Sequence, residues 1–290
     1  MTAHERSADL RRRLAAGESV LMPGVWDALS ARIVAAAGFS TAFVSGFAVS
    51  GTLLGLPDVG HVGQTEMADV ARRAAMAAPD LNLVVDADTG YGNAMNVART
   101  VELWERSGAA GIFIEDQVWP KRCGHMEGKV VVPAAEWLEK LRAACSQRSH
   151  LHVTARTDAR GARGLDEAIE RGRMARDVGV DAVFVEAPES LEELDSIAKA
   201  LPDVVLVANM VEKGRTPLLT PTELADRGFR LIVSPLSLLL SAARSMNDAA
   251  SRLSATGTMR DSLDQLMAFD DFNATVGLPE HLKAQAEFGG

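Results

Sequence analysis

The sequence predicts a single α/β domain folded as a (β/α)8 TIM barrel, and three observations support this. Eight short apolar runs rich in Val, Ile and Phe recur along the 290 residues, and most are too short to form helices. Helical periodicity lies between them, as at Val97, Val101 and Trp104. Strands that alternate with helices are typical of a parallel sheet covered on both faces. Eight such units in a chain of this length predict a closed barrel.

The predicted strands follow one another at regular intervals along the chain. They are 20–23, 41–46, 81–88, 111–116, 152–158, 182–187, 204–210 and 231–235. The chain after about Leu236 is almost entirely helical in pattern, which is more helix than one closing unit requires. We therefore predict one domain over 1–290, of which 237–290 is a C-terminal helical extension.

The composition argues against several classes of function. Lys and Arg total 30 against 39 Asp and Glu, so the formal net charge is -9. A chain this acidic is a poor ligand for nucleic acid or for an anionic membrane surface, and we expect neither partner. The two cysteines form no CxxC motif, and the N-terminus has no apolar signal-peptide region. These features predict a cytoplasmic protein.

The segment 113–125, FIEDQVWPKRCGH, is the most informative part of the chain. A buried strand ends there in two carboxylates, and a proline turn leads to a thiol and an imidazole. Cys123 stands beside Lys121, Arg122 and His125, and neighbouring cations lower the pKa of a thiol. We therefore expect a reactive cysteine. The alternative is that Cys123 serves only as a small hydrophobic residue.

Polar residues end seven of the eight predicted strands. In a barrel enzyme the active site is built at the carboxyl ends of the strands. Asp158 and Ser234 could instead be helix N-caps. Arg156 and Glu186 are not preferred caps, and charged groups without partners would be costly there. The residues in question are Ser45, Gly46, Asp86, Asp88, Glu115, Asp116, Arg156, Asp158, Glu186, Asn209 and Ser234.

A cluster of carboxylates predicts a metal site. Asp86 and Asp88 are two positions apart on a predicted strand, so both side chains should face the same way. Glu115 on the next strand adds a third carboxylate. Clustered carboxylates repel one another unless a cation lies among them, and oxygen ligands suit Mg²⁺. A purely structural salt-bridge network is the alternative. The sequence contains no Walker loop, GxGxxG or GxSxG motif.

Together these motifs resemble the isocitrate lyase/phosphoenolpyruvate mutase superfamily, and its lyase branch in particular. The likeness extends along nearly the whole chain, and the cysteine motif is its most specific part. The matching segments are PGVWDA at 23–28, SG at 45–46, LGLPD at 54–58, DADTG at 86–90, EDQ at 115–117, KRCGH at 121–125, ARTD at 155–158, VEAP at 185–188 and NMVE at 209–212.

The resemblance implies an enzyme that cleaves a carbon–carbon bond of a small dicarboxylate, with Mg²⁺ (or Mn²⁺) as its cofactor. It implies that Asp86 binds the metal directly and that Asp58, Asp88 and Glu115 hold the metal's water ligands. Catalysis is assigned to Cys123, Glu115, Arg156 and His125, with Cys123 as the general acid on a loop that closes over the substrate. The implied substrate-binding residues are Ser45, Gly46, Phe47, Gly124, His125, Arg156, Glu186 and Asn209.

Two departures indicate a particular branch. Phe43 and Phe113 stand where isocitrate and methylisocitrate lyases usually carry Tyr and His. With Phe47, they make the chain similar to the dimethylmalate lyase, petal death protein and oxaloacetate hydrolase branch. We expect a lyase of alkyl-substituted malates that gives pyruvate and a small carboxylic acid. The alternatives are an oxaloacetate hydrolase, a 2-methylisocitrate lyase and a non-catalytic small-molecule-binding barrel.

The resemblance also implies an oligomer. Similar chains swap a C-terminal helix between neighbouring subunits. Leu236, Leu238, Leu239 and Leu240 follow one another closely at the start of the C-terminal extension. We therefore expect a homotetramer with swapped helices.

Overall fold

The computed structural model describes residues 2–124 and 126–289 and shows a closed barrel of eight parallel strands. Each strand pairs with the next, and the last pairs with the first. The predicted TIM barrel is therefore confirmed. The strands are β1 Val20–Val25, β2 Thr41–Val44, β3 Asn82–Asp86, β4 Gly111–Glu115, β5 His152–Thr157, β6 Ala182–Val185, β7 Val205–Asn209 and β8 Phe229–Ser234.

Helices surround the barrel and continue beyond it. Each strand is followed by at least one helix, and a short π-helix (Ser50–Leu54) and a 3₁₀ helix (Arg260–Gln265) interrupt the regular pattern. The α-helices are α1 Ala3–Ala15, α2 Ala28–Ala36, α3 Gly46–Val49, α4 Gln64–Ala77, α5 Ala94–Arg106, α6 Ala134–Gln147, α7 Ala159–Arg163, α8 Leu165–Val178, α9 Leu191–Ala200, α10 Pro221–Asp226, α11 Ser237–Thr256, α12 Phe269–Thr275 and α13 Leu278–Glu287.

The predicted strands differ from the observed ones mainly at their ends. β1 continues to Val25 because Gly24 and Val25 still pair with β2. β3 ends at Asp86, since Asp88 has a φ of 46° and cannot continue an extended strand. In a parallel barrel, the residues just past each strand form the mouth. Polar residues that the sequence places at the end of a strand therefore often lie in the turn that follows it.

The centre of the barrel is filled by side chains, mostly large, from alternate strands. Phe43, Phe113 and Phe184 come from β2, β4 and β6 and are almost completely buried. The Phe43 and Phe113 ring centroids are 5.0 Å apart, and those of Phe113 and Phe184 are 5.8 Å apart. Such tilted contacts are favourable for aromatic rings. The three rings belong to a buried cluster that also includes Leu10 and Leu14 of α1.

The C-terminal helices contrast with the barrel. α11, α12 and α13 bury none of their residues, although they carry many large apolar side chains. α12 is held to the barrel side in part by Arg32, whose guanidinium donates to the Thr275 carbonyl at 3.2 Å. The division into one domain with a helical extension stays a prediction. No helix in the described ranges has the length and apolarity needed to cross a membrane.

Candidate active site

A polar layer lies directly above the aromatic side chains, at the carboxyl end of the barrel. Asp86, Arg156 and Asn209 come from the odd strands β3, β5 and β7, whereas the aromatic layer comes from even strands. The guanidinium carbon of Arg156 is 5.5 Å from the centroid of the Phe184 ring. A cation above an aromatic face is favourable, so the apolar layer below supports the charge above it.

Arg156 is the centre of this layer. Its guanidinium lies 3.3 Å from Glu115 Oε2, 3.0 Å from Asp158 Oδ2 and 3.2 Å from Glu186 Oε2. Burial alone would lower the pKa of Arg156, but these three carboxylates raise it well above its usual value. Asn209 Nδ2 also lies 3.3 Å from Glu186 Oε2. Arg156 therefore remains a buried cation that faces more negative charge than it can neutralise.

The N-cap alternative fails for Asp158. This residue does precede α7, but its side chain makes no capping bond, because both of its oxygens are directed to Arg156. Ser234 shares a short hydrogen bond with Ser237. Ser45 does act as a cap, since its hydroxyl accepts from the Ala48 amide at 3.3 Å.

The second group of charges consists of the predicted metal carboxylates and Lys121. The Lys121 ammonium lies 2.6 Å from Asp58 Oδ1 and 2.8 Å from Asp88 Oδ1, and all three side chains are buried. Burial raises the pKa of Asp88 to about 7, although the Lys121 ammonium opposes this shift. Burial would lower the pKa of Lys121, but Asp88 and Asp58 raise it well above its usual range.

Asp86 and Asp88 are not brought together by the strand alternation that the sequence predicts. Alternation along a strand cannot align them, because Asp88 lies beyond the end of β3 with a left-handed backbone. Instead the turn folds back, and the Asp88 amide donates to Asp86 Oδ1 at 3.1 Å. The two carboxylates are neighbours because of the turn and not because of the pleat.

The donor set fits a hard divalent cation. Burial raises the pKa of Glu115 well above its usual value, although the charge of Arg156 opposes this. Glu115 Oε1 is also buried and accepts no hydrogen bond from any described residue. Carboxylate oxygens with excess negative charge are the ligands that Mg²⁺ prefers. Among the described residues, however, no three acidic, His or Cys side chains converge as a preformed metal site, and Lys121 lies between two of the acids.

The segment 117–131, here called the cysteine loop, covers the mouth of the barrel. Gln117 and Val131 form an antiparallel bridge at its base, and the Val118 amide donates to the Val130 carbonyl at 2.8 Å. The Gln117 side-chain amide donates to the Arg122 carbonyl at 2.8 Å and accepts from the Arg122 amide at 2.9 Å. These bonds hold the loop in a defined shape above the polar layer.

The tip of the cysteine loop reaches the charged centre. Cys123 is half-buried and lines the cavity. A Cβ atom on Gly124 would lie only 2.5 Å from Glu186 Oε2 and 2.6 Å from Arg156 Nη2. No side chain fits there, so glycine is required for this approach. His125, the remaining predicted residue of the motif, lies outside the described residues.

The two cations that precede Cys123 in sequence make their main contacts with other groups. Lys121 pairs with Asp58 and Asp88, whereas Arg122 is exposed and donates to the Glu127 carbonyl at 3.1 Å. Adjacency in sequence therefore does not show where these charges lie. The expectation that both act on the thiol does not follow from the structure.

Most of the predicted site residues surround one cavity. Gly46 lies beside it, where a Cβ would be 3.0 Å from Asp86 Oδ2, and Asp88 and Glu115 belong to the charge groups described above. The predicted residues that line the cavity are Ser45, Phe47, Asp58, Asp86, Cys123, Gly124, Arg156, Glu186 and Asn209.

Sequence reasoning missed one side of this cavity. Val211, Val233, Pro235 and Leu236 supply an apolar wall from the ends of β7 and β8, and Phe184 contributes to the lining too. These residues lie at or near strand ends, where an active site is expected, but only polar residues were considered at those positions.

Comparison with known proteins agrees with the fold and the site. Residues 10–254 match the phosphoenolpyruvate phosphomutase family. The petal death protein of Dianthus caryophyllus is 45% identical over 285 residues, covering 98% of this chain and 89% of that protein. The 2,3-dimethylmalate lyase of Eubacterium barkeri is 40% identical over 275 residues, covering 94% of each. A solved structure of oxaloacetate acetylhydrolase with 3,3-difluorooxalacetate superposes with a TM-score of 0.95 at 35% identity, covering 100% of this chain and 98% of that one.

The chain is thus an enzyme of the lyase and mutase class built on a TIM barrel. It belongs to the phosphoenolpyruvate phosphomutase family within the isocitrate lyase/phosphoenolpyruvate mutase superfamily, as its motifs predicted. Mg²⁺ occurs in this superfamily. A solved structure of phosphonopyruvate hydrolase, 25% identical with a TM-score of 0.87 and 99% coverage of both chains, is a complex with oxalate and Mg²⁺.

The position of Cys123 gives a first prediction. If its thiol donates a proton to the substrate, Cys123→Ser should lower kcat by about 10² to 10⁴, the usual contribution of a general acid. Binding of oxalate, measured by calorimetry, should remain near wild type. Cys145 on α6 is the matched control, since burial raises the pKa of its thiol and it lies away from the cavity. Equal losses in Cys123→Ser and Cys145→Ser would instead indicate damage to the fold.

Proposed function

We propose that this protein is a Mg²⁺-dependent carbon–carbon lyase that cleaves an alkyl-substituted malate, such as 2,3-dimethylmalate, to pyruvate and a small carboxylic acid. One observation carries the proposal: Arg156 and Cys123 line one cavity together with the acidic side chains Asp58 and Asp86 and with an apolar surface of aromatic and aliphatic residues. A small dicarboxylate with alkyl substituents presents the complementary chemistry.

The charged residues suit the reaction. In 2,3-dimethylmalate, C2 carries the hydroxyl and a methyl group, and cleavage of the C2–C3 bond turns C2 into the keto carbon of pyruvate. The hydroxyl proton must leave, and Glu115, with its raised pKa and open Oε1, can accept it. The electron pair of the broken bond remains on C3, where Cys123 supplies the proton that completes the second acid.

Binding of the two carboxylates is assigned to opposite sides of the reacting bond. Arg156 and Ser45 hold the carboxylate of the pyruvate half. Gly124 and Asn209, together with His125, hold the far carboxylate, and Glu186 positions the Asn209 amide by accepting a hydrogen bond from it. Because Gly124 closes almost onto Arg156, the loop must open to admit the substrate and then close to exclude water.

The metal in this proposal belongs to the acidic side of the cavity. Asp86 would hold it, with Asp58, Asp88 and Glu115 around its water ligands. When bound, a divalent cation stabilises negative charge that develops on the substrate oxygens. It would also relieve the repulsion that raises the pKa of Asp88, to which Asp86 and Asp58 contribute.

Removal of the metal should therefore abolish turnover. Activity should disappear after treatment with EDTA and dialysis, and Mg²⁺ or Mn²⁺ should restore it. Asp86→Asn should weaken the apparent affinity for Mg²⁺ in a titration of activity, whereas Asp166→Asn at the exposed start of α8 should not. Full activity of the metal-free protein would contradict the assignment.

The apolar parts of the cavity favour alkyl groups over a third carboxylate. Phe43, Phe47 and Phe113 line the cavity, and so does the apolar wall from β7 and β8. A carboxylate without a partner against such surfaces would be strongly disfavoured. A methyl group contributes only about 1–3 kcal/mol in an apolar pocket, so discrimination among alkyl groups should be weak. The similarity to oxaloacetate acetylhydrolase makes hydrolysis of oxaloacetate to oxalate and acetate the second candidate.

A substrate panel decides between these functions. We expect kcat/KM for 2,3-dimethylmalate to exceed that for 2-methylisocitrate and isocitrate by at least about tenfold, the lower end of what one pocket group achieves. Pyruvate and oxalate should be measured as products, with oxaloacetate in the same panel. Preference for 2-methylisocitrate would contradict the substrate assignment, and oxalate as the main product would favour the hydrolase.

We also propose that the protein is a homotetramer whose C-terminal helices pack on neighbouring copies. The support is the absence of any buried residue in α11, α12 and α13 together with their exposed apolar side chains. Large exposed apolar surfaces mark interaction sites. The exposed apolar side chains of these helices and of the segments next to them include Met246, Leu253, Leu263, Leu266, Met267, Phe269, Phe272, Val276, Leu282 and Phe288.

Light scattering at micromolar concentration tests the assembly. The wild type should have the mass of four chains, and Leu253→Glu with Phe272→Glu should shift it to smaller species. Ser251→Glu, an exposed polar position on α11, controls for the added charge. A wild-type mass of one chain would contradict the tetramer.

A further inference from the structure

Besides Lys121, two cations connect the cysteine loop to the rest of the barrel, one at a buried contact and one at an exposed contact. Lys129, near the end of the loop, lies against the inner side. Arg215, on the segment that follows β7, lies at the outer rim. The two contacts differ in burial, so we expect the loss of the inner contact to be costly and the loss of the outer contact to have little effect.

The inner contact joins three groups. Lys129 Nζ lies 2.8 Å from Asp158 Oδ1, and it also donates a short hydrogen bond to the Gly124 carbonyl. The side chains of Lys129 and Asp158 are only 4% and 0% exposed. The Lys129 stem packs on α7, where a Cβ on Gly161 would be 3.2 Å from Lys129 Cε. One ammonium therefore links the tip of the loop to the end of β5.

Lys129 also changes the charge balance around Arg156. Arg156 faces three buried carboxylates, those of Glu115, Asp158 and Glu186. Burial would raise the pKa of Asp158, but Arg156 and Lys129 more than offset this and hold it at about 2. Asp158 is thus ionised. Without Lys129, Arg156 would be the cation that compensates its negative charge. A guanidinium committed to Asp158 is less able to bind a substrate carboxylate.

We propose that Lys129 is a positioning residue for the reaction. Its ammonium fixes Gly124, and with it Cys123, in the closed position of the loop, and it compensates Asp158 so that Arg156 can bind substrate. The part of this inference that concerns substrate rests on the function proposed above. The part that concerns closure of the loop depends only on the contacts of Lys129.

The outer contact provides the matched control. Arg215 lies 3.1 Å from Glu127 Oε1 on the loop and 2.9 Å from Glu189 Oε1 beyond β6, and the Glu127 side chain is 89% exposed. Ion pairs exposed to water contribute little to stability, so the loss of this contact should have little effect. A buried charge that loses its partner is far more costly.

The first measurement is steady-state kinetics of Lys129→Met and Arg215→Met with the best substrate of the panel. Lys129→Met should lower kcat on the order of 100-fold, as expected for a misplaced catalytic group, and should raise KM. Arg215→Met should stay within about twofold of wild type. A wild-type kcat in Lys129→Met would overturn the proposal, as would equal losses in the two variants.

The second measurement does not depend on turnover. In a Cys145→Ser background, the rate at which iodoacetamide alkylates Cys123 reports closure of the loop. With saturating oxalate and Mg²⁺, Cys123 should be protected in the wild type and in Arg215→Met. It should react at least about tenfold faster in Lys129→Met, since the loop tip has lost its tether. Equal protection in all three proteins would overturn the role of Lys129 in closure.

A third measurement, chemical rescue of a truncated Lys129, tests whether the ammonium group itself is needed or whether the side chain only supports the fold. Ethylammonium added to Lys129→Ala can occupy the vacated space between Asp158 and the Gly124 carbonyl, and it should restore both turnover and protection of Cys123. A failure of rescue with an unchanged melting temperature would overturn the proposal. If the wild type cleaves no member of the substrate panel, the proposed function fails, whereas the alkylation and rescue of protection still decide whether Lys129 holds the loop.

Discussion

The contact between Arg156 and the carboxylates around it is the constraint on which the site depends. A guanidinium buried at the barrel mouth would be very unfavourable alone, and three buried carboxylates would be equally unfavourable without it. Neither charge can be removed without leaving the other uncompensated. These groups lie on or just past β4, β5 and β6, which are neighbours in the sheet, so the pairing of adjacent strands brings the charges together.

The aromatic layer below makes this concentration of charge possible. Phe43, Phe113 and Phe184 fill the centre of the barrel from even strands, and the odd strands place Asp86, Arg156 and Asn209 above them. The aromatic floor excludes water from beneath, which strengthens every electrostatic interaction in the layer above. The same rings line the cavity, which supports the preference for apolar substituents proposed above.

The cysteine loop completes the site because two of its lysines pair with aspartates at the barrel mouth. Lys121 reaches Asp58 and Asp88 on one side, and Lys129 reaches Asp158 on the other. Cys123 and Gly124 lie between these two anchors and are thereby held over the cavity. The loop thus supplies both Cys123 and two of the cations that the acidic mouth requires. The same ion pairs therefore hold the loop over the cavity and neutralise part of the negative charge of the site.

Much of this could be predicted from the sequence, because it depends on local pattern. Eight apolar runs separated by helical segments determined the barrel, and the KRCGH motif at 121–125 with DADTG at 86–90 determined the family. The residues at strand ends could be named as site residues, since the carboxyl ends of the strands in a barrel always meet at one face. The apolar wall of Val211, Val233 and Leu236 obeys the same rule.

The partners of the charges were decided only by the tertiary structure. Lys121 and Arg122 are adjacent to Cys123 in sequence, yet one pairs with Asp58 and Asp88 and the other turns to solvent. Asp86 and Asp88 meet through a left-handed turn that alternation does not predict. Lys129 and Asp158 are 29 residues apart, and no pattern in the chain connects them. The physical reason is that a charge is stabilised by whatever group lies within a few ångströms in space, and distances of that kind arise only when the barrel closes and the loop folds onto it.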